Sequence, residues 1–340
     1  MLATAAVLLS AAAAQAQDLT VTSWGGSYQD AQREIYFNPF KEESGVNVIE
    51  DSWNGGIGAL RARVEGGNAG WDVVQVEAEE LTLGCDEGLY EEIDWDALGG
   101  RDAFIPAAVH DCGVGAIVWS TILTYDGNVF QDQQPQSWAD FFDTEAFPGK
   151  RGMRRIAKYT LEIALMADGV PPSEVYETLR TPEGVDRAFA KLDTIKDDIV
   201  WWESGAQPIQ LLGSGEVAMT LTYNGRVTSA NKSDNRNFKM VWPGSVYAVD
   251  SWVIIAGSPN AEAGMDFIKF ASAPEHQKDL PQYIAYGLTN AAANDLVPAE
   301  YAADLPTSPD NIKDALELDT EFWVDNSDAL TARFNTWVGQ

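Results

Sequence analysis

Histidine, cysteine and positive charge are all scarce in this chain of 340 residues. Two histidines, His110 and His276, stand in unrelated settings. They give no basis for a His-ligated metal or a Ser-His-Asp triad. The phosphate-cradling pattern GxxxxGK[ST] does not occur. Asp94 and Asp96, with Gly99 and Gly100 nearby, lack the spacing and closing Glu of a calcium loop, so they read as a solvated turn. No metal and no cofactor is expected. Lys and Arg number 22 against 52 Asp and Glu, a formal net charge of −30. Such a surface repels nucleic-acid phosphates and anionic membranes. It is compatible with a cationic ligand drawn in by a negative field, although solubility or adaptation to salt accounts for most of the charge.

What is present first is a targeting segment. Leu2 to Ala14 is an apolar run too short to anchor in a bilayer. Ala14-Gln15-Ala16 has the small-x-small form of a signal-peptidase site. Residues 1–17 are therefore expected to be removed, near Ala16, from a protein exported to the periplasm with no membrane insertion, as a monomer. The run lacks the usual leading Lys or Arg, so the true start codon is left open. In that setting the two cysteines, Cys85 and Cys112, suggest a disulfide, with two free thiols as the alternative. The bridge would close a loop of about 27 residues and stabilise the fold by roughly 3 kcal/mol on the loop-entropy model.

Along the chain, Asp18–Trp24 reads as a strand running into the flexible turn Gly25-Gly26-Ser27-Tyr28, with a helix over 28–43. A strand at 46–49, a helix at 57–65 and a strand at 71–76 follow. This β-α-β-α-β order predicts a parallel sheet with helices on both faces, whose ligands sit at the carboxyl ends of strands. Trp24 and Tyr28 follow the first strand; Glu77 and Glu79 follow the third. The long apolar strand 115–125 could carry the chain out of a first lobe. Helices are expected at 160–168 (with Glu162 on the first turn) and 182–196, strands at 199–202 and 215–223, and two helices after Ser308. Trp201 and Trp202 are adjacent, so at most one of them can face a cleft.

The stretch Pro243 to Ile255 is rich in β-branched and aromatic residues and reads as a strand, yet it holds a carboxylate, Asp250. Burying an unpaired carboxylate is costly, so Asp250 needs a partner or an opening to water. A ligand cation is one such partner, with the Tyr247 and Trp252 rings close by in sequence. A turn-capping role for Asp250 is the structural alternative.

The ordered set Trp24-Gly25-Gly26-Ser27-Tyr28, Trp71-Asp72-Val73-Val74, Trp201 to Gln207, Gly215 to Met219, Tyr223-Asn224-Gly225-Arg226, Asp250-Ser251 and Ala285-Tyr286-Gly287 resembles the spermidine/putrescine-binding proteins of ABC importers. These are a branch of the periplasmic solute-binding proteins. The resemblance implies an α/β fold: a two-lobed periplasmic binding protein of type II, its lobes joined by two crossing hinge strands. Lobe 1 would comprise 18–124 and 251–300, lobe 2 residues 125–250 and 301–340. It implies a polyamine, putrescine or spermidine, held between aromatic rings and acids, and a membrane permease as partner. Matching positions are Trp24, Tyr28, Glu77, Glu162, Asp250 and Tyr286; Tyr223, Arg226, Tyr247 and Trp252 complete the candidate set. Glu77, Glu79 and Ala248 depart from the family pattern, which bears on the ligand's length and identity.

Arg226 allows two readings, a brace for Asp250 or Glu162, or a bidentate grip on a ligand carboxylate. In the second the ligand is a zwitterion such as GABA, with Asp250 on its amine and Arg226 on its carboxylate. A more distant alternative is a secreted hydrolase using Glu77 and Glu162 as acid and base. A scaffold or adhesion module would have no small-molecule ligand at all.

Overall fold

The computed structural model describes residues 18–67 and 70–340, so the targeting segment expected at 1–17 lies outside the described residues. Ten strands form one mixed sheet: β1 (Asp18–Ser23), β2 (Asn47–Ser52), β3 (Val73–Val76), β4 (Val109–His110), β5 (Gly113–Asp126), β6 (Arg151–Arg154), β7 (Ile199–Trp202), β8 (Met219–Tyr223), β9 (Phe238–Ile254) and β10 (Leu316–Glu317). The order is β2-β1-β3-β9-β5-β8-β6-β7, with β4 on β5 and β10 on β9. The first half pairs β1 in parallel with β2 and β3, and the second pairs β6 in parallel with β7 and β8. Two long antiparallel strands join the halves. β5 runs 14 residues and β9 runs 17. Thr121–Tyr125 of β5 pair with β8, while Ser251–Ile254 of β9 pair with β3. One strand thus leaves the first half and the other returns to it, as the order of elements predicts.

The expected strand at Pro243–Ile255 starts earlier, at Phe238. Proline donates nothing to a ladder, so it needs an irregularity inside a strand. The structure supplies one: Thr121 pairs with Val246 and Leu123 with Val241, so residues 242–245 bulge out opposite Ile122. The bulge is tied down by the Gly244 N–H, which donates to the Asp314 carbonyl at 2.9 Å, and by the Trp138 indole N–H, which donates to the Gly244 carbonyl at 2.7 Å.

Local signals set the other elements. Gly25 and Gly26 have φ of 62° and 59°, left-handed values that favour glycine. The helix that follows runs from Gly26 to Ser44 with a π-helical segment at Arg33–Phe37. Ser137 caps the helix Trp138–Phe142 by accepting from the Asp140 N–H. The disulfide Cys85–Cys112, with its Cα atoms 5.7 Å apart, ties the helix Ala78–Asp86 to the β4–β5 hairpin.

Candidate binding site between the sheet halves

The crossing strands and the strand ends around them line a small, partly open cavity of about 40 Å³. Trp24 and Tyr28 enter it after β1, Trp53 and Asn54 after β2, and Glu77 after β3. From the second half come Arg154 at the end of β6, Tyr223 at the end of β8 and Arg226 in the helix Asn224–Ser233. Ile117 and Trp119 of β5 and Asp250 of β9 form the floor, and Tyr286 closes one wall. The rings lock one another. Trp24 stacks on Trp53 at 5.3 Å, Tyr28 meets Tyr286 edge-on at 5.2 Å, and Trp119 meets Tyr223 edge-on at 5.4 Å.

Asp250 is 3 % exposed. Its Oδ1 accepts a 2.5 Å hydrogen bond from the Trp119 indole N–H, and among the described residues no cation pairs with it. Burial, then the nearby Glu77 charge, push its pKa well above the ordinary carboxylate range. A buried acid held in this way is stabilised as the anion by an incoming ammonium.

Glu77 is in the opposite condition. Arg154 donates to its Oε1 at 3.2 Å, Tyr159 donates to its Oε2 at 2.5 Å, and the Lys158 ammonium contacts that same oxygen. Burial opposes its charge, but Lys158 and Arg154 outweigh that and hold its pKa down to about 2. Lys158 also pairs with Glu79. Arg154 further donates to the Tyr223 hydroxyl at 2.7 Å and to the Asn54 carbonyl at 3.1 Å. This cluster joins the first half (Asn54, Glu77, Glu79) to the second (Arg154, Lys158, Tyr159).

Arg226 also spans the halves. Its Nη2 donates to the Trp24 and Gly25 carbonyls at 3.1 and 3.2 Å. Its Nε and Nη1 are buried and make no well-aligned hydrogen bond, and the Tyr286 hydroxyl lies beside the guanidinium. It braces neither Asp250 nor Glu162. The guanidinium lies between two glycines: a Cβ on Gly26 would stand 2.7 Å from Nη1, and one on Gly205 would stand 3.0 Å from Nε.

Seven of the ten candidate residues thus line one cavity: Trp24, Tyr28, Glu77, Tyr223, Arg226, Asp250 and Tyr286. Three lie elsewhere. Glu162 is fully buried, accepting from the Tyr176 hydroxyl at 2.9 Å and the Trp323 indole at 2.7 Å. It faces the C-terminal helix, so it forms no acid–base pair with Glu77. Tyr247 turns to the far face of β9, where its hydroxyl donates to Glu317 at 3.1 Å. Trp252 shares the strand face of Asp250 but lies further into the first half, packed edge-on against Phe267 at 5.5 Å. Neither member of the Trp pair lines the cavity: Trp201 packs on Phe334 and Trp337, and Trp202 is buried against Tyr223.

Trp119, Arg154 and Lys158 were missed. Trp119 has no local signal, since it sits in an unbroken apolar strand. The two cations had one: five of the chain's 22 basic residues fall between positions 150 and 158.

A ring-lined cavity between two sheet halves that cross on paired strands is the construction of a solute-binding receptor. Residues 36–307 match the family model described as bacterial extracellular solute-binding protein, and the chain belongs to that family. It is 46 % identical over 331 residues to the gamma-aminobutyric acid-binding protein of Pseudomonas aeruginosa, spanning 97 % of this chain and 94 % of that protein. Among solved structures it is similar to the MotA binding protein of A. tumefaciens B6 in complex with glucopine, at 32 % identity and a TM-score of 0.89, covering 95 % of this chain and 100 % of that one. A structure described as a GABA receptor is 34 % identical with a TM-score of 0.82, covering 95 % and 98 %. A spermidine/putrescine substrate-binding protein from Streptococcus pneumoniae is 18 % identical with a TM-score of 0.71, covering 95 % and 100 %, a likeness that shows the fold alone. The two-lobed periplasmic binding protein fold is therefore as expected. The chain is a solute-binding receptor of an ABC transporter and not an enzyme, and its family is extracellular. No described helix is long and apolar enough to cross a membrane.

Proposed function

We propose that this receptor binds a zwitterion whose amine and carboxylate are separated along a short chain, GABA being the reference ligand, and presents it in the periplasm to a membrane permease. One observation carries the reading. Among the described residues that line the cavity, Asp250 is the buried acid without a protein cation, and Arg226 is a guanidinium with no carboxylate partner, set beside the Tyr286 hydroxyl. One buried negative and one buried positive group complement one ammonium and one carboxylate. Tyr28, Tyr223 and Tyr286 stay neutral phenols, since burial raises their pKa values. The GABA-binding relative and the GABA receptor structure support the choice of reference ligand.

A diamine or polyamine, the main expectation from the sequence, has less support. A second ammonium needs a second free acid: Glu77 is already neutralised by Arg154 and Lys158, and Glu203, which also lines the cavity, is largely exposed to water with Arg155 3.7 Å away. The second ammonium would also meet the charge of Arg226. The experiment is calorimetry on the purified protein with GABA, putrescine and spermidine, repeated on Arg226→Ala. GABA should bind tightest to the natural chain and lose at least about 2 kcal/mol in the variant. Tighter binding of putrescine or spermidine overturns the reading.

A further inference from the structure

Glu77 projects a carboxylate into the same cavity as Asp250, yet the two acids differ in what surrounds them. Glu77 is 6 % exposed and takes contacts from Arg154, Lys158 and Tyr159. Both cations come from the basic run at 150–158, across the cleft from Glu77. We propose that Arg154 and Lys158 are specificity-determining residues: by occupying Glu77 they withdraw the second anionic subsite and so exclude diamines from a slot that otherwise has the acids to hold one. The inference rests on the zwitterion reading above and deepens it.

The charges around the cluster support this. Glu77 and Glu79 face Arg154 and Lys158, two acids against two cations. The third acid, Glu80, has its carboxyl pKa raised by burial and then by the Glu77 charge, and its Oε2 accepts from the Glu77 N–H at 3.0 Å. Its other oxygen accepts from the Gly56 N–H, so both of its oxygens are taken by backbone donors and neither is free for an ammonium. An incoming second ammonium would have to displace a guanidinium that is also anchored on the Tyr223 hydroxyl and the Asn54 carbonyl. Lys158 is the weaker guard, a flexible ammonium shared between Glu77 and Glu79, whereas Arg154 is held at three points. With both made neutral, Glu77 becomes an unpaired acid on the wall of a cavity whose floor carries another. That is the arrangement a diamine requires.

The test is calorimetry on the full chain with GABA, putrescine and cadaverine. It uses the natural protein, the pair Arg154→Gln with Lys158→Gln, and that pair combined with Glu77→Gln. The same variants lose bonds across the cleft, so absolute affinities should fall for every ligand, and the readout is the diamine-to-GABA affinity ratio. That ratio should rise at least about tenfold in the double variant and fall back when Glu77→Gln is added. If the double variant does not fold, Lys158→Gln alone is read by the same ratio, with a smaller rise expected. A folded variant that binds GABA at an unchanged ratio overturns the proposal and leaves the zwitterion reading standing. A rise that survives Glu77→Gln also overturns it. A natural protein that prefers a diamine overturns the zwitterion reading, and this proposal with it.

Discussion

The Trp119 indole donates to the Asp250 carboxylate at 2.5 Å, joining buried side chains on the two strands that connect the sheet halves. Trp119 lies opposite Ala248, and Ile117 lies opposite Asp250, so the indole reaches Asp250 diagonally over a small neighbour. The contact favours the ionised form against burial and leaves the other carboxylate oxygen for a ligand.

Asp250→Asn should weaken GABA binding by on the order of 2–5 kcal/mol, because the ammonium then enters a buried site without a counter-charge. Trp119→Phe should cost less, about 1–3 kcal/mol. It should also move the pH at which binding appears upward, since Asp250 without its donor ionises at higher pH. Calorimetry over a pH series checks both. A Trp119→Phe profile parallel to that of the natural protein removes the orienting role.

Gly26→Ala should reduce affinity more than its effect on folding alone explains. The residue sits at φ 59°, where a side chain costs roughly 1–2 kcal/mol. Its Cβ would also stand 2.7 Å from Arg226 Nη1 and displace the guanidinium. Thermal unfolding reads the loss of fold stability, and GABA titration of the folded variant reads the displaced guanidinium. An unchanged GABA affinity in the folded variant leaves no role for that displacement.

Glu162→Gln should change how stability responds to pH. Burial raises this carboxyl from 4.5 to about 7 in the fold, against the hydrogen bonds from Trp323 and Tyr176. A raised acid contributes stability that is full below its unfolded pKa and is lost as pH rises through the folded value, here between about 4.5 and 7. Glutamine has nothing to ionise. The variant should match the natural chain near the low end of that window and be more stable above it, by on the order of 2 kcal/mol. Denaturant melts at pH values on both sides of the window give the comparison, and parallel curves count against it.

Reducing the Cys85–Cys112 bridge should lower stability by roughly 3 kcal/mol, for a sequence separation of 27 residues. The bridged helix, Ala78–Asp86, begins just after Glu77, so loosening it should also weaken GABA binding. Chemical denaturation with and without reductant, followed by titration, reads both effects.

Much of the fold could be read from the chain because short-range rules decided it. The helix Ile57–Glu65 lies between Gly56 and Gly66, the helix after Ser137 starts on a Ser cap, and β5 is a long apolar run. β9 was only partly legible, since Pro243 hides a strand that continues through a bulge. In the site, Asp250 stood out as a charge inside an apolar run, and residues following strand ends, such as Trp24 and Tyr28, line the cavity as parallel-sheet topology predicts. Glu162 misled because an acid on a first turn reads alike whether it faces a cleft or a helix; only Trp323, 161 positions on, decides. Likewise nothing local tells that Glu77 is matched by Lys158, 81 positions away. Which acids are already paired, and so which solute fits, is a long-range property.

The floor of the cavity, Ile117 and Trp119 on β5 with Asp250 on β9, belongs to the pair of strands on which the halves would turn. An amine resting on Asp250 would therefore sit on the axle, where rotation displaces atoms least. Arg226 is on the second half, and its bonds to the Trp24 and Gly25 carbonyls bridge to the first, so any parting of the halves there would break them. For the zwitterion proposed above, capture would then run nitrogen first on the pivot and carboxylate last, and a solute lacking the acid group would dock without completing the closing stroke.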